Sequence, residues 1–124
     1  MTRLILTILL VVVVIFVVQF VVYGAANVAG VLAFPSSASP GTFLLGVLVT
    51  KVGTAVAFVV IFGLSKAIWG PRWLLYGLIW FAMFTLTELG GAVSGRSTNI
   101  EAALGVCAEA IYAPLSAFLT KRLL

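Results

Sequence analysis

Four long apolar runs, separated by short polar breaks, most constrain how this chain folds. The runs cover residues 4–23, 43–64, 74–91 and 99–120 of the 124 residues. A helix needs about 20 mainly apolar residues to cross a hydrocarbon core of about 30 Å. Each run therefore predicts one membrane-spanning helix, and the chain is expected to form a single four-helix transmembrane domain over residues 1–124.

Composition excludes a soluble fold, because 64% of the residues are hydrophobic and only 8% are charged. Soluble domains contain about a quarter charged residues. Residues 11–18 are mainly β-branched, which favours a strand in water. In lipid an unpaired strand leaves its backbone groups without hydrogen bonds, so a helix is expected here too. The predicted fold class is an all-α, polytopic membrane protein.

The positive charges predict the orientation of the bundle. Five of the seven Lys and Arg side chains fall at one side of the predicted spans, namely Arg3, Lys66, Arg72, Lys121 and Arg122. Cations near span ends favour the cytoplasmic side of a membrane. We therefore expect an antiparallel bundle with both termini in the cytoplasm, located in a bacterial inner membrane.

The breaks between the runs carry recognisable signals. Residues 35–40 are rich in Pro and Ser and predict a loop, and residues 69–73 predict a tight turn. Residues 25–34 are apolar enough for an interfacial or a re-entrant helix, and the sequence leaves this open. Thr98 followed by Glu101 matches a capping box and predicts the start of the fourth helix.

Two charged residues lie deep within the predicted spans. Lys51 is about 13 Å below the outer start of span two, and Glu109 has a similar depth in span four. Either charge alone costs about 3 kcal/mol at this depth. We therefore predict that Lys51 and Glu109 face each other as an intramembrane charge pair. The pair is either a structural lock between two helices or part of a proton or ion relay.

A second polar group is predicted nearer the outer side. It comprises Gln19, Thr85, Glu88, Arg96 and Glu101. Arg96 is expected to neutralise one or both acids in this outer polar cluster. The alternative is that these residues cap helices and contact lipid headgroups, and of the five Glu88 is the better functional candidate because it lies deeper.

Small residues predict the faces through which the helices pack. They recur on span two at Gly46, Gly53 and Ala57. On span four they recur at Ala102, Gly105, Ala108, Ala110, Ala113 and Ala117. The pattern does not distinguish contacts within the chain from contacts with another chain.

Several functional classes find no support in the sequence. The chain has no His and a single Cys, so we expect no metal site, no haem, no other cofactor and no disulfide. No nucleophile and base are spaced for catalysis, so an enzyme is not expected. The net charge of +4 fits the inner ends of the spans and anionic lipid, and no nucleic-acid partner is expected.

Two functions remain in view from the sequence. The first is a non-enzymatic accessory or structural subunit of a larger membrane complex, suggested by short loops and abundant small-residue faces. The alternative is a small homo-oligomeric transporter or channel that uses Glu109, Lys51 and Glu88. The expected partners are the lipid bilayer and either other membrane-protein subunits or further copies of this chain.

Overall fold

The computed structural model describes residues 1–32 and 39–124, and within these residues every regular element is a helix. The helices are α1 (Thr2–Val28), α2 (Pro40–Leu64), α3 (Lys66–Trp69), α4 (Trp73–Val93) and α5 (Asn99–Leu123). All but α3 are long and apolar enough to cross a membrane. The prediction of an all-helical chain with four candidate spans is thus confirmed for the part of the chain described.

The first helix is longer than predicted, because it continues past residue 23 to Val28. Residues 25–28 therefore belong to α1, and residues 29–32 turn away from it. Gly30 allows this turn with a positive φ of 73°, which other residues rarely adopt. The predicted loop at 35–40 falls mostly outside the described residues, and Ser39 caps α2 by accepting a hydrogen bond from the Thr42 amide.

The connection between α2 and α4 contains the predicted turn, at residues 70–72, and a short helix that was not predicted precedes it. Residues Lys66–Trp69 form the short helix α3, and α4 begins only at Trp73. Gly70 donates its amide to the Lys66 carbonyl at 2.8 Å. A Cβ atom at position 70 would lie 2.8 Å from that carbonyl oxygen, so the close approach requires glycine.

The predicted capping box at the start of α5 is confirmed. The Glu101 amide donates to the Thr98 hydroxyl at 3.1 Å, and the Thr98 amide donates to the Glu101 carboxylate at 2.7 Å. These bonds satisfy amides that a helix start leaves free. At its other end α5 carries Lys121 and Arg122 in the last turn, where cations complement the helix dipole.

The helices pack in a defined order around the core. Helix α1 lies between α2 and α5, and α5 lies between α1 and α4. Helices α2 and α4 meet through large side chains instead. We call this contact the ring seam, and it consists of Phe58, Phe62, Tyr76, Trp80 and Phe84, whose ring centroids lie 4.8–6.3 Å apart.

The helix ends that carry most of the cations gather at one end of the molecule. Leu4 of α1 and Leu124 at the end of α5 both lie against Gly63 near the end of α2. The Lys66 ammonium donates to the Leu124 carbonyl, and the Lys121 ammonium lies 5.6 Å from the centre of the Trp73 indole. We call this the basic end.

Candidate functional site

The spacing of residues along three helices brings the deep charges to one layer of the bundle. On α4, Tyr76, Trp80, Phe84 and Glu88 recur every four residues, so they share one line down the helix. On α2, Phe58 and Phe62 follow Lys51 by seven and eleven residues, which are about two and three helical turns. The three residues therefore lie on the same face of the helix. Glu88 and Lys51 thus extend the ring seam away from the basic end.

Helices α4 and α5 approach closely at two glycines, which we call the glycine seam. A Cβ atom at Gly77 would lie 3.1 Å from the Ala117 Cβ and 3.2 Å from the Ala113 carbonyl oxygen. A Cβ atom at Gly105 would lie 2.7 Å from the carboxyl carbon of Glu88. The Glu88 carboxyl group is therefore seated directly on the α5 backbone, in space that only a glycine leaves open.

The second acid lies one helical turn from this seat. Glu109 follows Gly105 by four residues on α5, so the two positions share one face of that helix. The Glu88 carboxyl group is seated on Gly105 and therefore lies beside this face. The two acids therefore form a carboxyl pair, Glu88–Glu109, at the interface of α4 and α5.

Glu109 is deeply buried and incompletely satisfied. Its side chain is 2% exposed, and its Oε2 atom has no hydrogen-bond partner among the described residues. An unpartnered polar atom in an apolar interior is costly, and such groups are rare in folded proteins. A residue held in this state inside a membrane is a functional candidate.

Lys51 reaches the same layer from α2. Its ammonium nitrogen lies 6.0 Å from the centre of the Phe84 ring and 5.9 Å from the centre of the Tyr112 ring, distances typical of cation–π contacts. Lys51 is also within electrostatic range of both Glu109 and Glu88. The direct pairing of Lys51 with Glu109 stays a prediction, and the contacts that the structure shows for the ammonium are with the two rings.

Further buried polar atoms have no hydrogen-bond partner within residues 1–32 and 39–124. They are the amide oxygen of Gln19 and the hydroxyl groups of Thr85, Ser97, Tyr112 and Ser116. Gln19, Tyr112 and Ser116 are each at least nine-tenths buried. Buried polar atoms of this kind normally bond to water or to a ligand.

The outer polar cluster is spread over several local contacts. Gln19, Thr85 and Glu88 point into the bundle, whereas Arg96 is exposed and its Nε donates to the Ser94 hydroxyl at 3.1 Å. Glu101 is held in the capping box, and its carbonyl oxygen accepts a hydrogen bond of 3.4 Å from the Tyr23 hydroxyl. Neutralisation of the acids by Arg96 stays a prediction.

Sequence reasoning did not identify three residues of this site, namely Phe84, Gly105 and Tyr112. Gly105 was placed only among packing residues, yet it carries the seat for Glu88. The available signal was its position four residues before Glu109 on one helix face. Phe84 lies four residues before Glu88 on α4, and Tyr112 lies three residues after Glu109 on α5, so each ring shares a helix face with one acid.

The described residues contain no group of three or more His, Cys, Asp or Glu side chains placed to hold a metal ion. The arrangement instead offers a carboxyl pair, an ammonium group and two aromatic faces. These groups bind and exchange protons or monovalent cations. Comparison with protein-family models, with curated proteins and with solved structures finds no match to this chain.

Proposed function

We propose that this chain is a small membrane transporter or channel for a monovalent cation, and that Glu109, Glu88 and Lys51 handle the transported ion. The observation that carries the proposal is the buried Glu109, whose Oε2 has no partner among the described residues and whose carboxyl group adjoins that of Glu88. A carboxyl pair that holds one proton releases it when a cation takes its place.

The contacts of Lys51 favour this function over a structural lock. A lock requires the ammonium to bond the Glu109 carboxylate with good geometry, since only then does the pair offset its desolvation. The ammonium instead lies over the ring faces of Phe84 and Tyr112, and this placement supports our proposal. Glu109 is thereby left with an oxygen free to accept a proton or a cation.

A specific observation also favours a second function, the accessory or structural subunit. Gly46 and Gly53 lie on an exposed part of α2, and a Cβ atom at either position would meet nothing within 4 Å. Exposed glycines allow another helix to approach closely. This surface suits either a further copy of the chain, as in a homo-oligomeric transporter, or a different membrane subunit.

We infer an antiparallel arrangement in a bacterial inner membrane, with both termini in the cytoplasm. The support is the gathering of Arg3, Lys66 and Lys121 towards one end of the bundle, because cations favour the cytoplasmic side. Accessibility of single cysteines placed at positions 2 and 96 to an impermeant reagent tests this orientation. Labelling from outside at position 2 contradicts it.

Flux through purified protein in liposomes tests the main proposal. We expect Glu109→Gln to abolish cation-dependent flux, because the amide cannot exchange a proton or carry a negative charge. Glu101→Gln is the matched control, since Glu101 is held in the capping box at the start of α5, and this variant is expected to keep its flux. Unchanged flux in folded Glu109→Gln protein contradicts the proposal.

Native mass spectrometry of the protein extracted in mild detergent separates the two functions. A defined homo-oligomer supports the transporter, and a fixed-ratio complex with unrelated chains supports the accessory subunit. The variant Gly53→Leu tests whether this surface forms the assembly, because its side chain fills the open surface of α2 without touching the core. It is expected to weaken either assembly while leaving the chain folded.

A further inference from the structure

We propose that the Phe84 and Tyr112 rings, with the carboxyl pair Glu88–Glu109, form a binding cage for a small organic ammonium ion. In the structure, the ammonium group of the Lys51 side chain occupies this cage in place of a free ion. The proposal rests on the transport function proposed above and names the chemical class of the transported cation, a primary alkylammonium ion.

The geometry around the Lys51 ammonium is that of a cation site. The Phe84 and Tyr112 ring centroids are 5.8 Å apart, and the ammonium nitrogen is about equally distant from both, at 6.0 and 5.9 Å. Trp80 extends the aromatic wall, with its ring 5.5 Å from that of Phe84. Aromatic walls of this kind recognise organic ammonium ions because the ring faces are negative.

The acidic groups of the cage suit a cationic occupant. Glu88 lies against Gly105 on α5, and Glu109 lies one helical turn further along the same helix. The unpartnered Glu109 oxygen and the buried Tyr112 hydroxyl supply hydrogen-bond acceptors. An alkylammonium ion has three N–H donors, which can bond to acceptors of this kind.

Lys51 is placed so that its head group can leave the cage. Its helix, α2, packs its backbone closely against α1, whereas it reaches α4 only through side chains. Around Lys51 the α2 surface is open, since a Cβ atom at Gly53 would meet nothing within 4 Å and Val49 is 67% exposed. The long methylene stem of lysine lets the ammonium move towards the membrane surface.

The ligand class follows from the occupant that the structure already holds. Lysine ends in a primary alkylammonium group, and that group lies about equally far from the two rings of the cage. Aromatic faces favour such ions when they are desolvated, whereas sites for hard metal cations are built from rings of oxygen ligands. The cage therefore selects an organic ammonium ion over sodium or potassium.

Chemical replacement of the lysine side chain tests the cage directly. Lys51→Ala removes three carbons and the ammonium group, which n-propylammonium supplies as a free ion. We expect n-propylammonium to raise the melting temperature of detergent-solubilised Lys51→Ala by about 4 °C in a saturable manner. Lys66→Ala is the matched control, because Lys66 lies exposed at the basic end and its loss leaves no cage to fill.

Two further reagents sharpen this test. Lys51→Met keeps a chain of similar length without the charge, so it fills the space and is expected to show no response to n-propylammonium. 1-Propanol has the same size without the charge and is expected not to stabilise Lys51→Ala. An equal response of Lys51→Ala and Lys66→Ala, or an equal effect of the alcohol, overturns the cage.

Uptake by the wild-type protein in liposomes tests the ligand without any mutation of Lys51. Labelled methylammonium uptake that is lost in Glu109→Gln supports the proposal. Proton flux that depends on Glu109, with no methylammonium uptake, overturns the proposal and leaves the transport function standing. Saturable binding to Lys51→Ala with no flux of either ion supports the cage and overturns the transport function.

Discussion

Helix α4 makes two contacts of opposite character. Against α5 it packs at the glycine seam, where the α5 backbone lies directly against Gly77 and the Glu88 carboxyl group lies directly on Gly105. Against α2 it packs through the rings of the ring seam. In a membrane both contacts depend on packing, because lipid tails are as apolar as the side chains. The glycine seam should therefore be damaged by added atoms and the ring seam by removed atoms.

The two contacts of α4 also hold different residues of the site. Glu88 and Glu109 lie on the two helices of the glycine seam, which fixes them relative to each other. Lys51 lies on α2, which is joined to α4 only through side chains that have several rotamers. The acids are thus held in a rigid frame, and the ammonium is on the side of the bundle that can adjust.

The largest effect on stability is expected from truncating the ring seam. Phe62 is fully buried and its ring lies 5.2 Å from that of Tyr76. Phe62→Ala should lower the free energy of unfolding by about 3 kcal/mol, since it leaves a cavity between α2 and α4. Unfolding in mixed detergent micelles measures this change.

Phe20→Ala is the control for this substitution, because Phe20 is 57% exposed and lies on the outer surface of α1. It should cost well under half as much. If the two variants are equally stable, the rings between α2 and α4 do not hold these helices together.

The next largest effect is expected from adding one methyl group to the glycine seam. Gly77→Ala places its Cβ atom 3.2 Å from the α5 backbone, which cannot move as a flexible side chain can. Overpacking of this kind should cost about 2 kcal/mol of unfolding free energy. Gly90→Ala, in the same helix but with nothing within 4 Å, should instead raise stability by about 0.5 kcal/mol. An equal rise in the stability of both variants would show that helix propensity, not contact with α5, decides the outcome.

The sequence predicts the fold well because membrane spans depend on length and hydropathy. All four predicted spans lie within observed helices that extend at most five residues beyond them at an end, and the largest difference is at α1. That helix continues to Val28 because residues 24–28 contain neither Pro nor a charge that would end it. Helix α3 was missed, since four residues before Gly70 and Pro71 show no helical period.

The contacts between helices were harder to predict from the sequence. The small residues of span four include true packing positions, since Ala113 and Ala117 are fully buried. Of those of span two, Gly46 and Gly53 face open space among the described residues, whereas Ala57 is half-buried. A small residue permits close approach but does not name the neighbour. The pairing of Lys51 with Glu109 was predicted from equal depth alone and stays a prediction, since equal depth does not fix which groups of a layer touch.

A smaller effect is expected from the single hydrogen bond that crosses the ring seam. The Tyr76 hydroxyl donates to the Phe58 carbonyl oxygen at 2.5 Å in a buried position. Tyr76→Phe keeps the ring and should cost about 1 kcal/mol of unfolding free energy. Tyr23→Phe removes the longer bond of 3.4 Å to the Glu101 carbonyl and should cost less. A greater loss in Tyr23→Phe would place the important polar contact at the other end of the bundle.

The smallest effect on stability, with the clearest effect on function, is expected at Gly105 in the glycine seam. Gly105→Ala places a Cβ atom 2.7 Å from the Glu88 carboxyl carbon, so this carboxyl group must move. Because it is the end of a flexible side chain, the cost should be about 0.5 kcal/mol or less. The movement separates Glu88 from Glu109 and should lower cation flux in liposomes about tenfold. Gly90→Ala, whose Cβ atom meets no described residue within 4 Å, is the control and should keep full flux. If Gly105→Ala is folded and fully active, the carboxyl pair is not the group that handles the ion, and the frame provided by α4 and α5 serves packing alone.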